Sequence, residues 1–120
     1  MPYGEVPALM ERLRAVDTVP ARALEFLILT AARNGEARGA TWEEIDVDAA
    51  LWTIPAERMK AGKEHRVPLS SRAVEIVQQM SEKRFGPYVF FGRLEHRPLA
   101  DMTIAKTLRE VGGGAFTVHG

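Results

Sequence analysis

The feature that most narrows the possible folds is a double change of hydrophobic period along the chain. In "VPALMERLRA", Val6, Leu9, Met10 and Leu13 recur at helical spacing. After Pro20, which suits a first helical turn, Ala23, Leu24, Leu27, Ile28 and Ala31 continue a 3.6-residue stripe. From Thr41 the period becomes two. Beyond Ser70 it returns to the helical value. A chain that changes period twice folds as helices, then a sheet, then helices. The pattern therefore predicts an α+β, mostly helical domain with a small three-stranded antiparallel sheet, its first and last helices packed together.

The boundaries follow from local chemistry. Asn34-Gly35 is a natural breaker and predicts the end of the second helix near "RNGE", with a short helical turn over Glu36 to Ala40. "TWEEIDV", "ALWTIPA" and "EHRVPLS" carry β-branched and aromatic residues and predict three strands, the second connection a glycine-containing hairpin. Ser70 or Ser71 can cap a helix with Ala73, Ile76, Val77 and Met80 on one face. "GPYVFFG" predicts a short buried strand or extended loop. Asp101 is expected to open a last helix through Ile104, Leu108 and Val111, stopped by Gly112 to Gly114.

Composition then limits function. A chain of 120 residues has room for one domain and one core, with roughly two-thirds of its unfolded surface buried. The longest apolar stretch, "ALEFLILTAA", is about half a membrane span and contains Glu25, so no membrane association is expected. No secretory signal opens the chain. The absence of cysteine excludes disulfides, thiolate metal sites and a cysteine nucleophile, and fits a reducing, cytoplasmic setting. Lys+Arg and Asp+Glu balance at 16 each. Bulk charge therefore does not hold this chain on nucleic acid, and any such role needs a local group of cations.

Three residues could supply chemistry. Arg33 is expected at the C-terminal end of the most apolar helix, with Glu36 three positions on. Such an arginine can simply complement a helix dipole and pair with a surface carboxylate. Alternatively it captures a phosphate bidentately while Glu36 fixes the local backbone or the guanidinium. Lys60 lies at the tip of the expected hairpin, where it is either solvated or able to reach a partner's groove and donate a proton. Arg58, Lys63 and Arg66 add charge there and make this hairpin a basic cluster suited to DNA. His119 stands next to the last residue. His65 and His96 suit structural roles, on a strand edge and in a charged loop. No histidines have metal-ligand spacing with a carboxylate, so no metal site and no cofactor are expected. The triple glycine lacks the strand before it and the Lys-Ser/Thr after it that a phosphate-cradling loop needs.

In order along the chain, "LEFLILTAARNGEARGATWEEIDVDAALWTIPAERMKAGKEHRVPLS", "YVFF" and "TVHG" resemble the catalytic domain of the tyrosine recombinases, the phage integrase family, in its prophage and genomic-island form. The similarity runs from about Tyr3 to the end. It implies a DNA strand-cleaving and rejoining enzyme that works through a phosphotyrosyl intermediate on double-stranded DNA and self-associates into a synapse. By the resemblance, Arg33 matches the first catalytic arginine and Glu36 the acidic residue that supports it. Lys60 matches the hairpin lysine that assists departure of the 5′-hydroxyl. His119 matches the histidine opening the His-x-x-Arg motif.

The rest of that motif and the nucleophilic tyrosine would follow Gly120. Tyr3 and Tyr88 precede His119 and do not match the nucleophile, and Tyr88 is expected to be packed. The resemblance thus implies a partial catalytic domain over residues 1–120, lacking the amino-terminal DNA-binding domains and the tyrosine-bearing segment, and unable to cleave DNA alone. The other readings are a DNA-binding regulatory remnant, a vestigial product, and, more remotely, a topoisomerase of related fold.

Overall fold

A computed structural model describes residues 6–59, 61–94 and 97–112. The first helices are α1 (Val6–Ala15), α2 (Val19–Thr30) and the short α3 (Asn34–Arg38). Three strands follow, β1 (Ile45–Asp46), β2 (Leu51–Ile54) and β3 (His65–Pro68). Helices α4 (Ser71–Glu82) and α5 (Thr103–Gly112) complete the α+β order expected from the period changes.

Helix α2 is the centre of the fold. The Thr18 hydroxyl caps it by accepting from the Ala21 N–H, and Pro20 occupies its first turn. Residues Ala21 to Phe26 are all buried, because α1, α3, α4 and α5 each pack against this helix. Its end differs from expectation. Ala31 adopts the left-handed conformation with φ 55°, and its N–H and that of Ala32 close on the carbonyls of Ile28 and Leu27. The helix therefore stops at Thr30, four residues before Asn34, and Asn34-Gly35 opens α3 instead of breaking α2. A non-glycine residue is held at positive φ by this pair of hydrogen bonds and by the packing of the segment it starts.

The sheet is antiparallel in the order β1-β2-β3, with Trp52 opposite Ile45 on one side and Val67 on the other. On β2, Trp52 and Ile54 point into the core while Leu51 and Thr53 are half-buried, the alternation expected of a one-sided sheet. β1 is shorter than predicted. Trp42–Glu44 form a 3-10 turn, with the Glu44 carboxylate accepting from the Thr41 N–H at 3.4 Å. Thr-x-x-Glu here acts as a turn-opening box, which overrides the alternating pattern. Thr41 still bridges Tyr88, and "GPYVFFG" forms a bent loop beside it with Val89 and Phe90 buried.

Ser70 caps α4 through Ala73 N–H at 3.2 Å, and Ala73, Ile76, Val77 and Met80 are buried as expected. Helix α5 begins at Thr103, two residues after Asp101, and buries Ile104 and Leu108. The Arg12 guanidinium donates to the Val111 carbonyl at 3.3 Å, so the first and last helices meet. The expected glycine stop falls partly inside α5, and residues 113–120 lie outside the described part. Trp52, Phe26 and Phe90 form the aromatic centre, with ring centroids 5.1 Å and 5.2 Å apart. Among the described residues, no helix is long and apolar enough to cross a membrane.

A charged cluster lies inside this core. Glu25 is fully buried, yet it accepts from Arg72 bidentately at 2.9 and 3.0 Å and pairs with Arg22 at 2.9 Å. Arg22 in turn donates to the carbonyls of Leu13 and Val16 at the end of α1. The cluster therefore links α1, α2 and α4 through one carboxylate. The hydrogen bond with Glu25 raises the Arg72 pKa, against the opposing effect of burial. A raised folded-state pKa contributes stability below the unfolded value and loses it only as pH climbs through the folded one. For an arginine that window is strongly alkaline, so Arg72 keeps its charge at ordinary pH.

Candidate nucleic-acid interface

Arg33 sits at the N-cap of α3, not in the last turn of α2. Its backbone is extended (φ −84°, ψ 157°), and its N–H donates to Glu36 Oε1 at 3.1 Å. Of the two roles open to Glu36, fixing the backbone is the one observed. The Arg33 side chain is exposed and makes no hydrogen bond or ion pair among the described residues. A cation on a locked backbone with an unengaged guanidinium has its donors open to an external anion.

The base beneath it is tied down over long sequence distances. Asn34, 7% exposed, donates to the Asp101 carbonyl at 3.0 Å. Arg38 donates through Nε to the Leu99 carbonyl at 2.9 Å and pairs with Asp101 at 3.3 Å. Asp101 thus anchors α3, which explains why it does not serve as the cap of α5. A helix of five residues has no stability of its own, so these tertiary bonds set where Arg33 stands.

The hairpin cations divide into two kinds. Lys63 is exposed and without a partner among the described residues. Arg66 is exposed and pairs with Glu64 at 3.0 Å, a surface contact worth about 0–1 kcal/mol that a phosphate can displace. Arg58 is different. It meets the Glu44 carboxylate at 2.9 Å through both Nε and Nη2, and Nη2 also donates to the Glu36 carbonyl at 3.2 Å. Glu44 Oε1 further accepts from Trp52 Nε1 at 3.1 Å. Arg58 brings the start of the β2–β3 connection against α3, and so joins the two stretches that carry Arg33 and the basic hairpin.

Lys60 and His119 lie outside the described residues, as do His96 and Tyr3. His65 is exposed on β3, Ser70 is committed to its cap, and Tyr88 is half-buried. No metal-binding cluster occurs among the described residues. A second group of cations escaped the linear reading. Arg38, Arg93, Arg97 and Lys106 line an open groove with Phe91 and Leu99. Up to 68 positions separate its members in the chain, so only the packing of α3 and α5 assembles it.

The sequence matches the phage integrase family over residues 1–119. It is 40% identical over 123 residues to prophage integrase IntZ of Escherichia coli strain K12, covering 100% of this chain and 31% of that protein. Prophage integrase IntA of the same strain is 35% identical, with 97% of this chain and 29% of that protein covered. The chain therefore spans about a third of the length of these relatives. In fold it resembles the crystal structure of XerA recombinase, with a TM-score of 0.77 at 16% identity over 99% of this chain and 45% of that one. It also resembles a lambda integrase tetramer bound to a Holliday junction, with a TM-score of 0.67 at 17% identity over 100% of this chain and 35% of that one.

Proposed function

The chain belongs to the phage integrase family, and from that premise we propose that it is part of a site-specific recombinase that cuts and rejoins double-stranded DNA. In this reading residues 1–120 are a portion of the catalytic domain. Arg33 and His119 donate hydrogen bonds to the non-bridging oxygens of the scissile phosphate, where charge accumulates during transfer. A tyrosine supplied from outside residues 1–120 gives up its phenolic proton to solvent, attacks phosphorus and forms a phosphotyrosyl ester. The bond to the 5′-oxygen breaks, and Lys60 delivers the proton that turns that oxygen into the 5′-hydroxyl. The reverse attack by a 5′-hydroxyl rejoins a strand, so no external energy source is needed. Lys63 and Arg66 contact flanking phosphates, and several copies of the protein assemble on the recombining duplexes.

The observation that carries the reading is Arg33 itself. It is an exposed, unengaged guanidinium at the position matching the family's first catalytic arginine, on a backbone held by the matching acid, Glu36. Incubating the complete protein with a nicked recombination-site duplex tests it, because the nick releases a short 5′ fragment and prevents religation. A denaturant-resistant protein–DNA adduct is expected, and it should be lost in Arg33→Ala, Lys60→Ala and His119→Ala. Residues 1–120 alone should bind duplex without forming the adduct. Binding without any adduct by the complete protein would instead support a regulatory remnant.

A further inference from the structure

We infer that Arg58 is a positioning residue that locks the Arg33-bearing helix to the base of the β2–β3 connection, and is not itself a cation that meets DNA. The inference rests on the reading of Arg33 as a phosphate ligand.

Its position leaves little capacity for a phosphate. Nε and Nη2 are both spent on Glu44, and Nη2 also bonds the Glu36 carbonyl. Nη1 lies over Gly39, where a Cβ would come within 2.1 Å of it. Gly39 has φ −84°, so its backbone does not require glycine. What it provides is room for this guanidinium. Glu44 has a side chain only 8% exposed, and its Oε1 also accepts from Trp52 and Thr41. If Arg58 turned out toward DNA, it would leave that carboxylate buried without its countercharge, which is strongly unfavourable.

The contacts form a continuous route from the core to the site. Trp52 in β2 holds Glu44, Glu44 holds Arg58, Arg58 holds the Glu36 carbonyl, and the Glu36 carboxylate holds the Arg33 N–H. Glu36 therefore carries two constraints on one residue, one through each end. Helix α3 has five residues and is otherwise held by the packing of Ala37 in the core and by the bonds of Asn34 and Arg38 on its other flank. Geometry at a phosphoryl-transfer site tolerates little error, since a displacement of about 1 Å can cost on the order of 100-fold in rate. A rigid link between the arginine helix and the hairpin is the device that avoids it.

Two measurements on the chain test this. Amide hydrogen exchange of α3 reads the link without DNA, and anisotropy with a fluorescein-labelled duplex reads its consequence. Arg58→Lys keeps the charge but cannot span two oxygens and a carbonyl, and Glu44→Gln keeps the shape but removes a negative charge. Both are expected to speed exchange at Asn34–Arg38 and to weaken duplex binding roughly tenfold. Neither should weaken it further in an Arg33→Ala background, because Arg58 acts through Arg33. Gly39→Ala, which alters no charge, should act in the same direction.

A direct phosphate contact predicts the opposite set. Glu44→Gln would leave binding unchanged or tighten it, and Arg58→Ala would still weaken it additively with Arg33→Ala. That result would overturn the inference, as would unchanged α3 exchange in both single variants. A wild-type chain that does not bind duplex would count against the phosphate reading of Arg33, while faster α3 exchange in the variants would still support the link.

Discussion

Glu25→Ala is expected to lower the unfolding free energy by about 3–5 kcal/mol, a large share of what a domain of this size possesses. The carboxylate is fully buried and is the common partner of Arg22 and Arg72, which are themselves mostly buried. Removing it leaves Arg22, 6% exposed, with only the carbonyls of Leu13 and Val16 and no countercharge. It also cuts the link from α4 to α2. Arg14→Ala is the internal control. Arg14 approaches Glu25 only to 3.8 Å and its side chain is 58% exposed, so its loss should cost no more than about 1 kcal/mol. Urea unfolding followed by circular dichroism separates the two. Equal small effects from Glu25→Ala and Arg14→Ala would show that the cluster does not hold the three helices together.

Trp52→Ala is expected to cost about 3–5 kcal/mol by opening a cavity at the aromatic centre. Trp52 is fully buried against Phe26 and pairs across strands with Ile45 and Val67. The substitution also removes the indole N–H that Glu44 accepts, so it loosens Arg58 and through it α3. Trp52→Phe separates packing from hydrogen bonding. It retains a ring against Phe26 and should cost clearly less than Trp52→Ala, while still loosening α3 in hydrogen exchange. If Trp52→Phe protects α3 as well as the wild type does, Glu44 is held by its other partners and the indole is only a packing element.

Much of the fold is legible in the sequence because it depends on short-range pattern. The stripe at Ala73, Ile76, Val77 and Met80 and the cap at Ser70 are decided within one helix. So is the alternation of Trp52 and Ile54 within one strand. The departures arise where two local rules compete or where the deciding partner is distant. Thr41 and Glu44 carry both a strand-like alternation and a turn-opening box, and the box prevails because it satisfies a backbone N–H at once. Asn34-Gly35 looks like a breaker, but Ala31 has already ended α2, and Asp101 recruits Asn34 into a new helix. Glu25 reads locally as a flaw in an apolar run. Arg22 in the same helix and Arg72, 47 residues on, together explain it.

The site follows the same division. Arg33 and Glu36 are recognisable as a pair because their spacing already allows the backbone contact. Arg58 is not separable from Lys63 and Arg66 by sequence, since all three are cations in one short connection. Its inward turn depends on Glu44 and on the space above Gly39, both supplied by other elements. The groove cations Arg38, Arg93, Arg97 and Lys106 are likewise a product of packing.

The central claim is that Arg33 is a phosphate ligand set on a rigid base. Its most direct measure is the salt dependence of duplex binding by the chain and by Arg33→Ala. A lost phosphate contact should make the slope of log affinity against log salt shallower by about 0.9, with weaker binding at low salt. Unfolding stability should change little, because the exposed side chain makes no hydrogen bond or ion pair among the described residues. The same slope and the same affinity in both proteins would contradict the assignment.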